Sequence, residues 1–154
     1  MAFIYGLSWS LLLWSGLVGL VLSSWLLMVL RKLAVTRYLP RAYWSCALFR
    51  SASDAALVFA GTLRMVMMIA VFPIAYALVF TQVGRAEAVV GAIAGAVHGL
   101  LAALLLPLAA RRCSSAVAPG FMGWNLGRLT PLALIFVHAV YGAALGYVYV
   151  APPA

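Results

Sequence analysis

Two histidines are the side chains best suited to chemistry in this sequence, and both fall inside long apolar runs. His98 precedes a basic pair at 111–112, and His138 follows Arg128. At a helical rise of about 1.5 Å per residue, the two lie roughly 20 Å and 15 Å from the same basic border. Helices joined by a short connection usually pack side by side in opposite directions. The spacing therefore predicts two imidazoles at similar depth in a membrane that could face a common interior.

Three interpretations of the histidine pair remain open at this point. Each neutral imidazole could hydrogen-bond to a neighbouring helix, an interaction worth on average about 0.6 kcal/mol. Both could instead be axial ligands of one b-type haem. The first interpretation, in contrast, requires no cofactor. The third is a proton relay or small-ligand site, because ionisable groups within a membrane are usually functional.

Arg64 is the other unusual residue, because it follows the expected start of a helix near residue 55. A guanidinium two turns inside a membrane costs several kcal/mol unless it pairs or reaches the surface. If the membrane begins at Met65, Arg64 stays among the lipid headgroups, and the sequence favours this interpretation. The functional alternative is that Arg64 holds an anionic lipid or the carboxylate of a cofactor.

Small residues recur every fourth position on three of the predicted helices. Such patterns let helix backbones approach closely, so they predict helix-packing faces and favour partner subunits. The residues are Ser15, Gly19, Ser23, Gly91, Gly95, Gly99, Gly142 and Gly146.

Composition defines the elements that must position these side chains. The chain has 154 residues, of which 68% are hydrophobic and 8% charged, whereas about a quarter of a soluble domain is charged. We therefore predict an all-α integral membrane protein with one membrane domain over 1–154. Asp54 and Glu87 are its two acidic residues, which excludes catalysis by paired carboxylates within a site and an acidic metal cage.

Four apolar runs are long enough to cross a bilayer, which takes roughly 20 helical residues. No basic residue precedes the first run, so we expect a retained helix and not a cleaved signal peptide. The predicted transmembrane helices are 3–30, 55–81 or 65–83, 88–110 and 131–150.

The basic residues predict the orientation of these helices. The connections 31–54 and 111–130, together with Arg64, contain nine of the ten Lys and Arg residues, and Arg85 stands alone on the other side. The positive-inside rule places both basic connections in the cytoplasm and both termini outside, an N-out/C-out topology. A composition rich in Ala, Leu and Arg further suggests a plasma membrane, specifically the bacterial inner membrane.

The connection 31–54 mixes basic residues with large aromatics, which predicts an interfacial basic segment between helices one and two, part of it helical after Pro40. Cys46 and Cys113 have no ligand spacing around them and are predicted to be ordinary thiols. The expected lipid and interface contacts are Arg31, Lys32, Arg37, Arg41, Trp44, Arg64, Arg111, Arg112 and Trp124.

The sequence contains no nucleotide-binding loop and no nucleophile motif, and its basic residues form no tract for nucleic acid. We therefore expect a non-enzymatic accessory subunit of a larger membrane complex, with a respiratory or photosynthetic electron-transport assembly as its host. Its partners would be membrane lipids and other integral subunits. The alternatives are a b-type haem protein for electron transfer, using His98 and His138, and a small oligomeric channel or carrier.

Overall fold

The computed structural model describes residues 8–111 and 117–149, and every regular element among them is a helix. Four helical stretches are long and apolar enough to cross a membrane, which confirms the prediction of an all-helical protein with four candidate spans. Arg112, Cys113 and the predicted span ends at 3–7 and 150 lie outside the described residues. The elements are α1 (Trp9–Lys32), α2 (Pro40–Phe49), α3 (Asp54–Val66), a π-helical turn (Met67–Val71), α4 (Phe72–Val83), α5 (Ala88–Ala110), a 3-10 helix (Phe121–Leu126) and α6 (Thr130–Val148).

The second span is one continuous helical stretch made of α3, the π-helical turn and α4. Its start is capped by the Ser53 hydroxyl, which accepts a hydrogen bond from the Ala56 amide. The 30 residues of Asp54–Val83 measure about 45 Å, whereas the apolar core of a bilayer is about 30 Å thick. Pro73 has no N–H to donate, and the helix changes to the wider π form directly before it. Counted back from Val83, about 30 Å of helix ends near Arg64.

Helices α5 and α6 pack backbone against backbone through their glycines. Gly91 lies against the Gly142 carbonyl, and Gly95 lies against the His138 carbonyl. A Cβ atom added at either glycine would come within 3.0 Å of the opposite backbone, which real Cβ atoms essentially never do. Gly146 lies equally close to the Glu87 carbonyl, so the contact extends to the start of α5.

Helix α1 uses its small residues to approach two other spans. Gly16 lies against the Ile69 carbonyl in the π-helical turn, and Gly19 lies against the ring of Tyr141. Ser15 and Ser23 are fully buried, and each hydroxyl donates to the carbonyl three residues before it. The small-residue face of α1 therefore lies in the interior of the chain.

The two basic connections join in one layer at the same end of the bundle. The Thr130 hydroxyl donates to the Thr36 hydroxyl at 2.8 Å, and the Tyr43 hydroxyl donates to the Val117 carbonyl at 3.0 Å. The layer includes α2, which begins at Pro40. Its location among lipid headgroups, and the N-out/C-out orientation, stay predictions.

Cys46 is completely buried in α2 and disulfide-bonded, so the prediction of an ordinary thiol at this position is wrong. Sequence spacing contained no sign of this bond because no paired-cysteine motif surrounds Cys46. The bond adds a covalent constraint to the layer of basic connections.

Candidate functional site

A cavity lies between the spans, close to the layer of basic connections, and is called the polar cavity here because several polar side chains reach it. It has about 90 Å³ open to the centres of water molecules, enough for several waters or one small polar group. Side chains from all four spans line it, together with residues of the connection 31–54. Its polar lining residues are Ser23, Tyr38, Trp44, Arg64, His98, His138 and Tyr141.

The structure brings His98 and His138 together at this cavity. Their ring centroids are 4.8 Å apart, and the rings meet edge to face at 62°. The close packing of α5 on α6 through Gly95 and Gly99 brings the two imidazoles into contact. The backbone contact between these helices thus sets the distance between the histidines.

Hydrogen bonds determine which ring nitrogens of the two imidazoles can donate and which can accept. The Nδ1 atom of His138 donates to the Leu134 carbonyl at 2.7 Å, which leaves Nε2 of the neutral ring as an acceptor. The Tyr76 hydroxyl lies 3.3 Å from Nδ1 of His98. When Tyr76 donates, the neutral His98 ring carries its proton on Nε2 and keeps a donor for a further partner.

Tyr141 connects the cavity to the π-helical turn. Its ring is fully buried, and its hydroxyl donates to the Met68 carbonyl at 2.5 Å. Tyr141 also meets the Tyr76 ring edge to face, with centroids 5.7 Å apart. Irregular turns of this kind free backbone groups and are frequent at functional sites.

Arg64 lines the cavity, and no negative partner for it is found among the described residues. It lies close enough to Tyr38, Tyr141 and His138 to interact with them electrostatically. The chain's two acidic side chains, Asp54 and Glu87, are exposed and do not line the cavity. No described residue supplies a carboxylate to Arg64, and its guanidinium makes no hydrogen bond to any of them.

Tyr38 does not provide the missing negative charge. Burial raises the pKa of Tyr38 to about 12, and the nearby Arg64 only partly opposes this shift. The phenol is therefore neutral at physiological pH and can act as a hydrogen-bond donor. The cavity as a whole carries the positive charge of Arg64.

A b-type haem does not fit between the histidines in this arrangement. Axial ligands bind from opposite faces of the porphyrin, so the macrocycle must separate their two rings. In this structure the rings of His98 and His138 contact each other, and the space beside them is about 90 Å³. In the described part of the chain, no group of three or more His, Cys, Asp or Glu side chains could hold a metal ion.

Three tyrosines of the site were not predicted from the sequence. Tyr141 follows His138 by three positions, which places it on the same helix face, and this spacing could have revealed it. Nothing comparable marks Tyr38 or Tyr76. Trp44 was predicted at the interface, but the structure places it along the cavity, half-buried.

The other predicted interface residues that the structure describes lie on the outside of the protein. They are Arg31, Lys32, Arg37, Arg41, Arg111 and Trp124. Arg37 also donates to the Asn125 carbonyl at 3.3 Å, which ties the first basic connection to the second.

Comparison with known proteins adds no functional information. The chain matches no family model, and no curated protein or solved structure is significantly similar to it.

Proposed function

We propose that this protein is a membrane-embedded binding protein for a small acidic group, which Arg64 holds in the polar cavity. One observation carries the proposal: the Arg64 guanidinium reaches an interior cavity without a carboxylate among the described residues. A cation removed from water costs several kcal/mol unless an opposite charge is near it. A ligand carboxylate or phosphate supplies that charge, and arginine binds either one through two parallel hydrogen bonds.

Neutral donors around Arg64 support an anion and not a cation. Tyr38 keeps its proton at neutral pH, and its phenol lies in the cavity. His98 has a donor left on Nε2 when Tyr76 occupies Nδ1. Hydrogen bonds from neutral groups to a charged acceptor are roughly twice as strong as those between neutral groups.

The test is thermal unfolding of the purified protein in a neutral detergent, titrated with butyrate and with inorganic phosphate at constant ionic strength. An anion at a hundred times its dissociation constant stabilises the folded state by about 2.7 kcal/mol, so the melting temperature rises. Arg64→Met should abolish this rise. Arg41→Met is the matched control, because Arg41 is exposed on α2 and lies outside the cavity.

Two results would contradict the proposal. One is a melting temperature that rises equally in the wild type, Arg64→Met and Arg41→Met, which would mean a general effect of anions. The other is no rise in any of them with either anion.

The accessory-subunit hypothesis stays a prediction, as do the bacterial inner membrane and the absence of enzymatic activity. The small-residue faces that favoured a partner subunit are occupied within this chain, which removes one argument for it. A tagged pull-down from native membranes in mild detergent tests it: a stoichiometric assembly supports a subunit role, and migration alone ends it. The channel or carrier hypothesis predicts solute flux into liposomes that contain this protein alone.

A further inference from the structure

An apolar groove of about 290 Å³ lies on the outer surface between α4 and α5. The residues that line it follow helical spacings of three, four and seven positions on both helices, so the groove runs along the helix axes for about 10 Å. Besides His98 and Tyr76, its lining consists of apolar side chains, among them Phe72, Ala75, Val79, Ala94, Val97 and Leu101.

The groove and the polar cavity meet at two side chains, Phe72 and His98, which line both. Their rings are in edge-to-face contact, with centroids 4.8 Å apart. Phe72 and His98 therefore form a boundary that the polar cavity and the apolar groove share.

From this continuity we infer that the ligand is a single-tailed acidic lipid, a long-chain carboxylate whose head binds Arg64 and whose tail lies in the groove. The inference rests on the proposed function and names its ligand class. The positive charge of the cavity selects an acidic head, and a space of about 90 Å³ suits a head as small as a carboxylate. One narrow groove accommodates one tail.

The head and the tail contribute differently to binding. A tail that moves from lipid into the groove exchanges one apolar environment for another, so it adds little affinity by itself. It does confine the carboxylate to the membrane, and this raises the local concentration of the head beside the cavity. We therefore expect palmitate to bind at a lower total concentration than butyrate, and hexadecanol not to bind.

Photolabelling in phosphatidylcholine liposomes tests the inference with a palmitate probe that carries a diazirine in the middle of its tail. Mass spectrometry should find the label on groove residues such as Val79 and Ala94 at least fivefold above Ile93. Ile93 is 63% exposed but lies outside the groove, so it reports contact with bulk lipid. Excess palmitate should displace the label from the groove, and excess hexadecanol should not.

Two pairs of variants examine the head and the tail separately. Arg64→Met should reduce groove labelling to the level of Ile93, whereas Arg41→Met should retain it. Ala75→Trp fills the exposed side of the groove and should also remove the label, whereas Ile93→Trp, on the neighbouring surface of α5, should not. Groove labelling that persists in Ala75→Trp would overturn the inference.

The outcomes separate this inference from the proposed function. If butyrate still stabilises the protein through Arg64 while palmitate labels lipid-facing residues evenly, the lipid assignment is wrong and the anion site stands. If the groove is labelled equally in Arg64→Met and hexadecanol displaces the probe, the groove holds neutral tails and the lipid assignment is wrong. The proposed function fails only if butyrate and phosphate do not stabilise the protein through Arg64.

Discussion

Two helix contacts of this protein differ in what fills them. Between α5 and α6, glycines bring the backbones together, and a Cβ added at Gly91 or Gly142 would lie within 3.0 Å of the backbone of the opposite helix. Between α4 and α5, large side chains such as Phe72 and Tyr76 keep the helices apart and leave an open groove. The contact between α5 and α6 fixes how these two helices are arranged, and the contact between α4 and α5 leaves room for a ligand.

The difference between these contacts explains where polar chemistry can be placed in so apolar a chain. His98 and His138 lie on the closely packed helices α5 and α6, so their separation is fixed by backbone contact. Arg64 belongs to the second span and lines the same cavity. The site therefore combines two histidines, held together by a close backbone contact, with an arginine from a different span.

The largest expected effect comes from Gly142→Ala, which would drive a methyl group into the Gly91 carbonyl. Overpacking of this kind costs about 3 kcal/mol, and unfolding in detergent should begin at a clearly lower temperature. Gly61→Ala is the matched control, because nothing lies within 4 Å of its Cβ position. Alanine favours helix over glycine by about 1 kcal/mol, so Gly61→Ala should stabilise the protein. Equal effects of the two substitutions would contradict the contrast between the packed and open regions.

The next effect concerns Arg64 in the absence of ligand. Arg64→Met removes an unpaired charge from a partly buried site and should stabilise the ligand-free protein by about 2 kcal/mol while anion binding is lost. Thermal unfolding in anion-poor buffer measures the first effect. A destabilised Arg64→Met protein would mean that Arg64 has a structural partner within the fold and that its charge needs no ligand.

A smaller effect is expected from the two tyrosines. Tyr141→Phe leaves the Met68 carbonyl without its hydroxyl partner and should cost about 1 kcal/mol or more. Tyr76→Phe loses only a 3.3 Å bond to His98 and should cost about 0.6 kcal/mol. Chemical or thermal unfolding of both variants measures the two losses of stability. A larger loss in Tyr76→Phe than in Tyr141→Phe would show that the hydrogen bond to His98 is the stronger one.

The orientation can be tested by chemical labelling, which does not rely on a difference in stability. The basic residues favour a cytoplasmic location for the layer of connections, whereas the Cys46 disulfide favours an oxidising compartment. In a chain with Cys46 and Cys113 replaced by serine, an impermeant maleimide added outside should label Gln82→Cys. Arg41→Cys should be labelled only after permeabilisation, and the opposite pattern would place the basic layer outside.

The sequence predicted the spans because hydropathy and helix-ending residues are local properties. The start of α5 after Glu87 and the start of α2 at Pro40 follow directly from such signals. The rotation of each helix could not be predicted, because periodicity carries little information in a chain that is apolar on every face. For this reason the cavity that Arg64 lines emerges only with the packing, whereas its depth among the headgroups stays a prediction.

The small residues illustrate the same limit. Their four-residue spacing predicts a contact face for Gly91, Gly95 and Gly99, but the spacing does not identify the partner. The structure places them against Gly142, His138 and Ile135 of α6. Tyr76 and Trp44 were not assigned to the site, because the side of a helix on which an aromatic residue faces a cavity depends on the neighbouring helices.

The most direct test of anion binding through Arg64 is equilibrium binding of radiolabelled butyrate to the purified protein, since butyrate is too short to stay in detergent micelles. We predict one saturable site per chain in the wild type and in Arg41→Met, and none in Arg64→Met. Saturable binding of the same affinity in Arg64→Met would show that the cavity does not bind acidic groups through this arginine, and the central claim would be wrong.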